Sequence, residues 1–292
     1  MRLLIIGCGD VALRALPALR PAYSSIYALT HSPQRTFELH KLGVLPLIGD
    51  LDQLHSLGRL GGMAHDVLHC APPPSQGTVD TRTRNLLAAL TKRGSLPHRL
   101  VYISTSGVYG DCGGDIVPET RPVKAQSERA RRRIDAEARL REWGKRLGVC
   151  VSILRVPGIY AENRLPLERL KASTPALLPD QDSYTNLVHA DDLAGMAVAA
   201  LRRGQPNRAY NANDDSALKM GDYFDLVADC YGLPRPPRVS RDEARQRIPA
   251  GLLLFMEESR RLSNVRMKRE LGITLHYPTP CEGVAAARAK TK

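Results

Sequence analysis

Short apolar runs alternate with longer stretches of helical periodicity through the first half of the chain. The runs fall at residues 3–6, 25–29, 44–48, 67–70, 100–104 and 150–154. Between them the apolar spacing predicts helices over 10–19, after Ser32, over about 80–92 and over about 124–147. Strand, helix, strand in strict succession predicts βαβ units, and six strands of this kind predict a doubly wound parallel α/β sheet. Past residue 160 the alternation breaks down. Pro166, Pro175, Pro179, Pro206, Pro234 and Pro236 punctuate shorter elements, with helices expected at about 191–203, 220–231 and 241–247. The expected organisation is an α/β sheet domain over residues 1–160 and a smaller lobe over 161–292, partly interleaved with the sheet. The basic stretch 286–292 is expected to fray.

Composition narrows the class. With 292 residues, 43% of them hydrophobic and 25% charged, the chain can bury a full core and lies outside the disordered range. No run approaches the roughly 20 apolar residues of a membrane span, and no leader pattern opens the chain, so a soluble, cytoplasmic protein is expected. The six cysteines show neither a C-x-x-C pair nor metal-ligand spacing, so neither a disulfide nor a metal site is expected. A net charge of +12 favours anionic partners. The basic residues are dispersed and lack aromatic interleaving, which disfavours nucleic acid and fits a phosphate-bearing small molecule. A homodimer is left open.

The candidate chemistry begins at the first strand. Gly7-Cys8-Gly9-Asp10-Val11-Ala12 sets G-x-G-x-x-A where that strand meets a helix. Gly7 permits the tight turn, Gly9 lets the backbone approach a diphosphate, and Ala12 allows close helix packing. The N–H groups opening the helix, at Asp10 and Val11, face the negative charge. This is a Rossmann-type arrangement. About 20 residues on, where an NAD enzyme offers a carboxylate to the ribose, stand Thr30, His31, Ser32 and Arg35. Donors and a guanidinium there favour a 2′-phosphate, hence NADP with NAD as the lesser option. Asp50 and Leu51 after the third strand are placed near the adenine, and Ala71, Pro72 and Pro73 after the fourth near the ribose.

Four ordered stretches carry a resemblance: Gly7 to Ala12; Leu100-Val-Tyr-Ile-Ser104-Thr105-Ser106-Gly-Val-Tyr109-Gly110; Leu154-Arg155-Val-Pro157-Gly158-Ile-Tyr160; and Asn186-Leu-Val-His189-Ala-Asp191-Asp192-Leu-Ala194. In these the chain resembles, along nearly its whole length, the extended and atypical short-chain dehydrogenase/reductases, the NAD-dependent epimerase/dehydratase family. The resemblance implies a nicotinamide cofactor and a small hydroxyl or carbonyl substrate whose oxygen is held by Thr105. It also implies a Tyr-x-x-x-Lys pair on the following helix, which this sequence lacks. Arg129 falls where the Tyr belongs and Arg133 where the Lys belongs.

An arginine stays protonated and cannot shuttle a proton as the phenol does, but it can bind an anion or stabilise an oxyanion. At i, i+4 spacing, Arg129 and Arg133 share one helix face and would point together at Thr105, implying an anionic substrate. Alternatively the run Arg129, Arg131, Arg132, Arg133, with Glu128, Asp135 and Glu137 nearby, is a solvated ion-paired face. Tyr109 and Tyr160 are expected to pack beside the cleft, Asp191 and Asp192 to cap a helix, and Glu119 to be a lesser contact. The expected function is an NADP(H)-dependent oxidoreductase or epimerase-like protein; the alternative is a non-catalytic NADP(H)-sensing protein of the same fold.

Overall fold

The computed structural model describes residues 1–292 apart from 93, 249–252, 254, 255, 257 and 292. Its centre is a parallel sheet of seven strands: β1 (Arg2–Ile6), β2 (Ser25–Thr30), β3 (Leu45–Ile48), β4 (Asp66–His69), β5 (Arg99–Thr105), β6 (Cys150–Val156) and β7 (Arg208–Asn211). Their spatial order is β7-β6-β5-β4-β1-β2-β3, every neighbour parallel. Six of the seven lie where the apolar runs put them. The seventh, Arg-Ala-Tyr-Asn, is too short and polar to read as a strand, and exists because Tyr210 and Ala209 find the free edge of β6.

The alternation inside β1 sorts its side chains between two cores. Leu3 and Ile5 face one way, onto Ala12, Ala15, Leu16 and Leu19 of helix α1 (Asp10–Leu19) and onto Leu193, Ala197 and Leu201 of helix α5 (Ala190–Arg203). Leu4 and Ile6 face the other, onto Leu86 and Leu90 of α3 (Thr81–Thr91) and onto Leu140 and Trp143 of α4 (Glu128–Leu147). Helix α2 (Gln34–Lys41) connects β2 to β3. Burial on both faces is why the strand reads as a continuous apolar run. Helix α4 opens on Ser127, whose hydroxyl accepts from the Ala130 N–H, and closes on Gly148 in the left-handed conformation.

A third apolar cluster forms the smaller lobe, in which Tyr160, Leu187, Tyr223, Phe224 and Val284 meet. It gathers helix α6 (Met220–Tyr231) and a terminal helix, α7 (Pro280–Thr291). The tail expected to fray is thus largely helical up to Thr291: Val284 and Ala287 are buried, and a packed apolar stripe outweighs the basic composition. Residue 292 lies outside the described residues. Asp191 and Asp192 do not cap α5 with their carboxylates. His189 does so, its Nδ1 accepting from the Asp191 N–H at 3.2 Å, while the Asp192 carboxylate accepts from the backbone N–H groups of His276 (2.7 Å) and Tyr277 (2.9 Å). Among the described residues, no helix is long and apolar enough to cross a membrane.

Candidate active site

The strand order reverses between β1 and β4, which opens a crevice beyond their C-terminal ends. Gly7 lies on one wall and Ala71 on the other. Gly7 has φ +82°, and a Cβ built there would stand 2.6 Å from the Ala71 backbone nitrogen, so only glycine fits. Gly9, the N-cap of α1, has open space where its Cβ would point and no side chain satisfying the helix N-terminus. Unmet N–H groups beside open space are the cradle a diphosphate requires, and the residues present fit one.

The expected adenosine-side residues lie at or just after the C-terminal ends of β2, β3 and β4. Arg35 swings back from α2 so that its Nη2 donates to the Cys8 carbonyl at 2.8 Å. Thr30 Oγ1 accepts from the Ser32 N–H at 3.2 Å, shaping the turn, and His31 is exposed beside them. The loop holding Asp50 and Leu51 is pinned by Ser56, which donates to the Asp50 carbonyl, and by Asn85, which donates to the Leu51 carbonyl at 2.8 Å. Arg82 joins this loop to the next one, pairing with both Asp52 oxygens and donating to the Pro72 carbonyl at 3.3 Å; Pro73 follows in that loop.

Asp10, in the first turn of α1, would repel a diphosphate if left bare. Arg14 holds it at 2.9 Å, and holds Asp191 at 2.6 Å and Glu162 at 2.5 Å as well. Burial works against the Arg14 charge, yet hydrogen bonds to the three carboxylates lift its pKa above the ordinary arginine range. Arg164 Nε lies 3.3 Å from the other Asp10 oxygen.

Arg164 also lines a cavity of about 710 Å³ beyond the end of β5. Thr105, Ser106, Gly107, Arg129, Tyr160, Tyr184, Tyr223, Glu258 and Arg260 contribute to its walls. Thr105 Oγ1 accepts from the Gly107 N–H at 3.3 Å, and its own proton meets no acceptor among the described residues. Arg129 stands exposed at the rim without a carboxylate partner among the described residues. Desolvation first, then the like charges of Arg133 and Arg132, hold its pKa below the ordinary value.

Arg133 does not join Arg129 at the cavity. It is buried under the sheet end, its Nη1 donating to the Tyr102 hydroxyl and the Ile103 carbonyl, each at 2.8 Å. Beside it lies His69, whose pKa burial and the Arg133 charge lower to about 3, keeping the ring neutral. Arg132 is also buried, donating to the Gly77 carbonyl. The basic run is therefore not one solvated face: i, i+4 spacing aligned Arg129 and Arg133 at the backbone, and the acceptors at the end of β5 drew the second guanidinium away.

The sequence reading missed the polar support behind Thr105. Ser104 donates to Glu137 at 2.6 Å, Glu137 pairs with Arg155 at 2.7 Å, and Arg155 reaches the Tyr109 hydroxyl, which donates to Asn211. Glu119 belongs to this support, accepting from the Asn211 N–H at 3.0 Å, and does not line the cavity. Tyr109 is fully packed, and Tyr160 lines the cavity while its hydroxyl donates to the Thr279 carbonyl. Arg164, Arg260 and Glu258 were also missed. Arg164 had one available signal, its place in a loop shortly after a strand's C-terminal end.

No curated protein matches the chain. Among solved structures, it is similar to a conserved protein of unknown function from Silicibacter pomeroyi DSS, at 27% identity and a TM-score of 0.83, covering 100% of this chain and 99% of that one. It is similar in fold to a UDP-glucose 4-epimerase of Thermotoga maritima, solved with UDP-glucose, at 17% identity and a TM-score of 0.79, covering 100% and 99%. A likeness in fold extends to DesIV, a dTDP-glucose 4,6-dehydratase of Streptomyces venezuelae solved with NAD bound, at 21% identity and a TM-score of 0.78, covering 99% and 96%. The NAD dependent epimerase/dehydratase family matches residues 80–212, the stretch holding Thr105, Arg129 and the strand that ends beside the cavity. Over these residues the chain is similar to the NAD dependent epimerase/dehydratase family.

Proposed function

We propose that the protein is an NADP(H)-dependent oxidoreductase or epimerase-like enzyme acting on a small, anionic hydroxyl or carbonyl substrate. The observation that carries the reading is Arg164, which touches the glycine-loop carboxylate of Asp10 and lines the Thr105 cavity, so the two sites are contiguous. In this reading Gly7, Gly9, Asp10 and Val11 hold the diphosphate. Thr30, His31, Ser32 and Arg35 meet the 2′-phosphate, Asp50 and Leu51 border the adenine, and Ala71, Pro72 and Pro73 border the ribose. The nicotinamide supplies or accepts hydride when bound. Thr105 donates a hydrogen bond to the substrate oxygen, keeping its proton, and Arg129 takes the anionic group and offsets charge developing on that oxygen. Arg133 holds the end of β5 in place beneath them.

Hydride transfer tests the proposal. NADPH at 100 times its dissociation constant should add about 2.7 kcal/mol of stability. Short keto acids with NADPH should then lower absorbance at the reduced-nicotinamide band, or hydroxy acids with the oxidised coenzyme raise it. No coenzyme-induced stabilisation would defeat the cofactor assignment.

One observation favours a second reading, in which the dinucleotide is bound and sensed without turnover. Burial pushes the phenols of Tyr160 and Tyr223 above the usual range, leaving both protonated and poorly placed to shuttle protons. Tight NADPH binding with no hydride transfer across the panel would support that reading over the enzymatic one.

A further inference from the structure

The three arginines of the cavity differ in what already occupies them. Arg260 Nη1 donates to Glu258 at 2.7 Å and to the Gly110 carbonyl at 2.6 Å. Glu258 is the cavity's carboxylate among the described lining residues, and this pair cancels. Arg129 is uncompensated. Arg164 is engaged on one side: its Nε faces Asp10, while its two terminal nitrogens meet no acceptor among the described residues. Its side chain is 38% exposed. Asp10 is itself fixed by Arg14, so Arg164 is anchored at its inner nitrogen and offers the outer fork to the cavity.

Arg129 and the outer nitrogens of Arg164, none of them hydrogen-bonded among the described residues, thus belong to the lining of one space whose own carboxylate, Glu258, is already taken by Arg260. Arg129 comes from α4, beside Thr105, and Arg164 from the loop that follows β6, on the side of the glycine loop. We infer that the substrate carries two oxyanion groups, one held by Arg129 near the reacting carbon and the other by the outer fork of Arg164. This rests on the reading of the cavity as the substrate site. A ligand spanning both forks makes its second contact intramolecularly, so it gains far more than a monoanion that can satisfy only one.

Calorimetric titration of the NADPH-saturated protein tests this, the coenzyme keeping anions off the glycine loop. The probes are the α,ω-dicarboxylates from malonate to adipate, the monocarboxylates of equal length, and 3-phosphoglycerate. One dianion should bind at least tenfold more tightly than its matched monoanion, and the best among the probes reports the spacing and whether phosphate or carboxylate is preferred. Arg164→Gln and Arg129→Gln should each bring that dianion to the monoanion's level, and Arg164→Lys, which keeps the charge but loses the fork, should fall between. Coenzyme fluorescence reports NADPH affinity separately, and the melting temperature guards against misfolding. Equal binding of dianions and monoanions, or discrimination that survives Arg164→Gln, would overturn the inference. Should NADPH fail to bind, the cofactor assignment falls on its own, and the same series on the coenzyme-free protein still decides the dianion question.

Discussion

The two halves of the cleft are built from different materials. The crevice between β1 and β4 is shaped by backbone: a glycine with no room for a Cβ, a second facing open space, and a helix start with unmet N–H groups. The cavity beyond β5 is shaped by side chains that carry charge, Arg129, Arg164 and the Arg260–Glu258 pair, and one of its walls, Tyr160, feels the charges of the buried Asp214 and Asp192. Backbone sites depend on sterics and are indifferent to pH, whereas a wall of buried ionisable groups couples its stability to protonation.

The widest separation between the halves is expected from pH. Burial raises the Asp214 carboxyl to about 7, with Ser216 hydrogen bonds only partly opposing it, and its Oδ2 has no hydrogen-bond partner. A raised folded-state pKa means the associated stability is complete below about pH 4 and is lost as pH climbs through 7. Asp214→Asn mimics the protonated form. Chemical denaturation should find it similar to wild type at about pH 4 and increasingly more stable above that, by up to about 4 kcal/mol at pH 8.5. An equal offset at both pH values would break the contrast.

Gly7→Ala probes the backbone half. The new methyl would meet the Ala71 backbone in a conformation that alanine disfavours, so NADPH affinity should fall about 100-fold, near 2.7 kcal/mol, at every pH. Asp192→Ala leaves the His276 and Tyr277 N–H groups unmet and should cost about 2 kcal/mol, with faster amide exchange in α7 and little change at the glycine loop. The smallest effect is expected from Arg35→Leu, which should weaken NADPH about tenfold, near 1.4 kcal/mol, and leave NADH unchanged. Equal weakening of both coenzymes would make Arg35 a clip on the Cys8 carbonyl and nothing more.

The same contrast explains what the sequence made legible. Residues 3–12 announce a strand, a tight turn and a helix locally, so β1, the Gly7 turn and the start of α1 could be placed almost residue by residue. Helices α1 and α6 begin and end where periodicity put them. β7 could not be read, because a four-residue strand with one arginine and one asparagine is defined only by the edge it joins. Nor could the Ser104–Glu137–Arg155–Tyr109–Asn211 chain be read, since burial of a carboxylate and a guanidinium depends on contacts between residues far apart in sequence. Arg129 and Arg133 mark the boundary between the two cases. Their spacing on α4 was legible, but which guanidinium reaches the cavity was decided by acceptors on β5.

Titration of the wild-type protein with NADPH and NADH, side by side at one ionic strength, tests the central claim most directly. The account predicts saturable binding of both, NADPH about tenfold tighter. Absence of binding by either reduced coenzyme would contradict it.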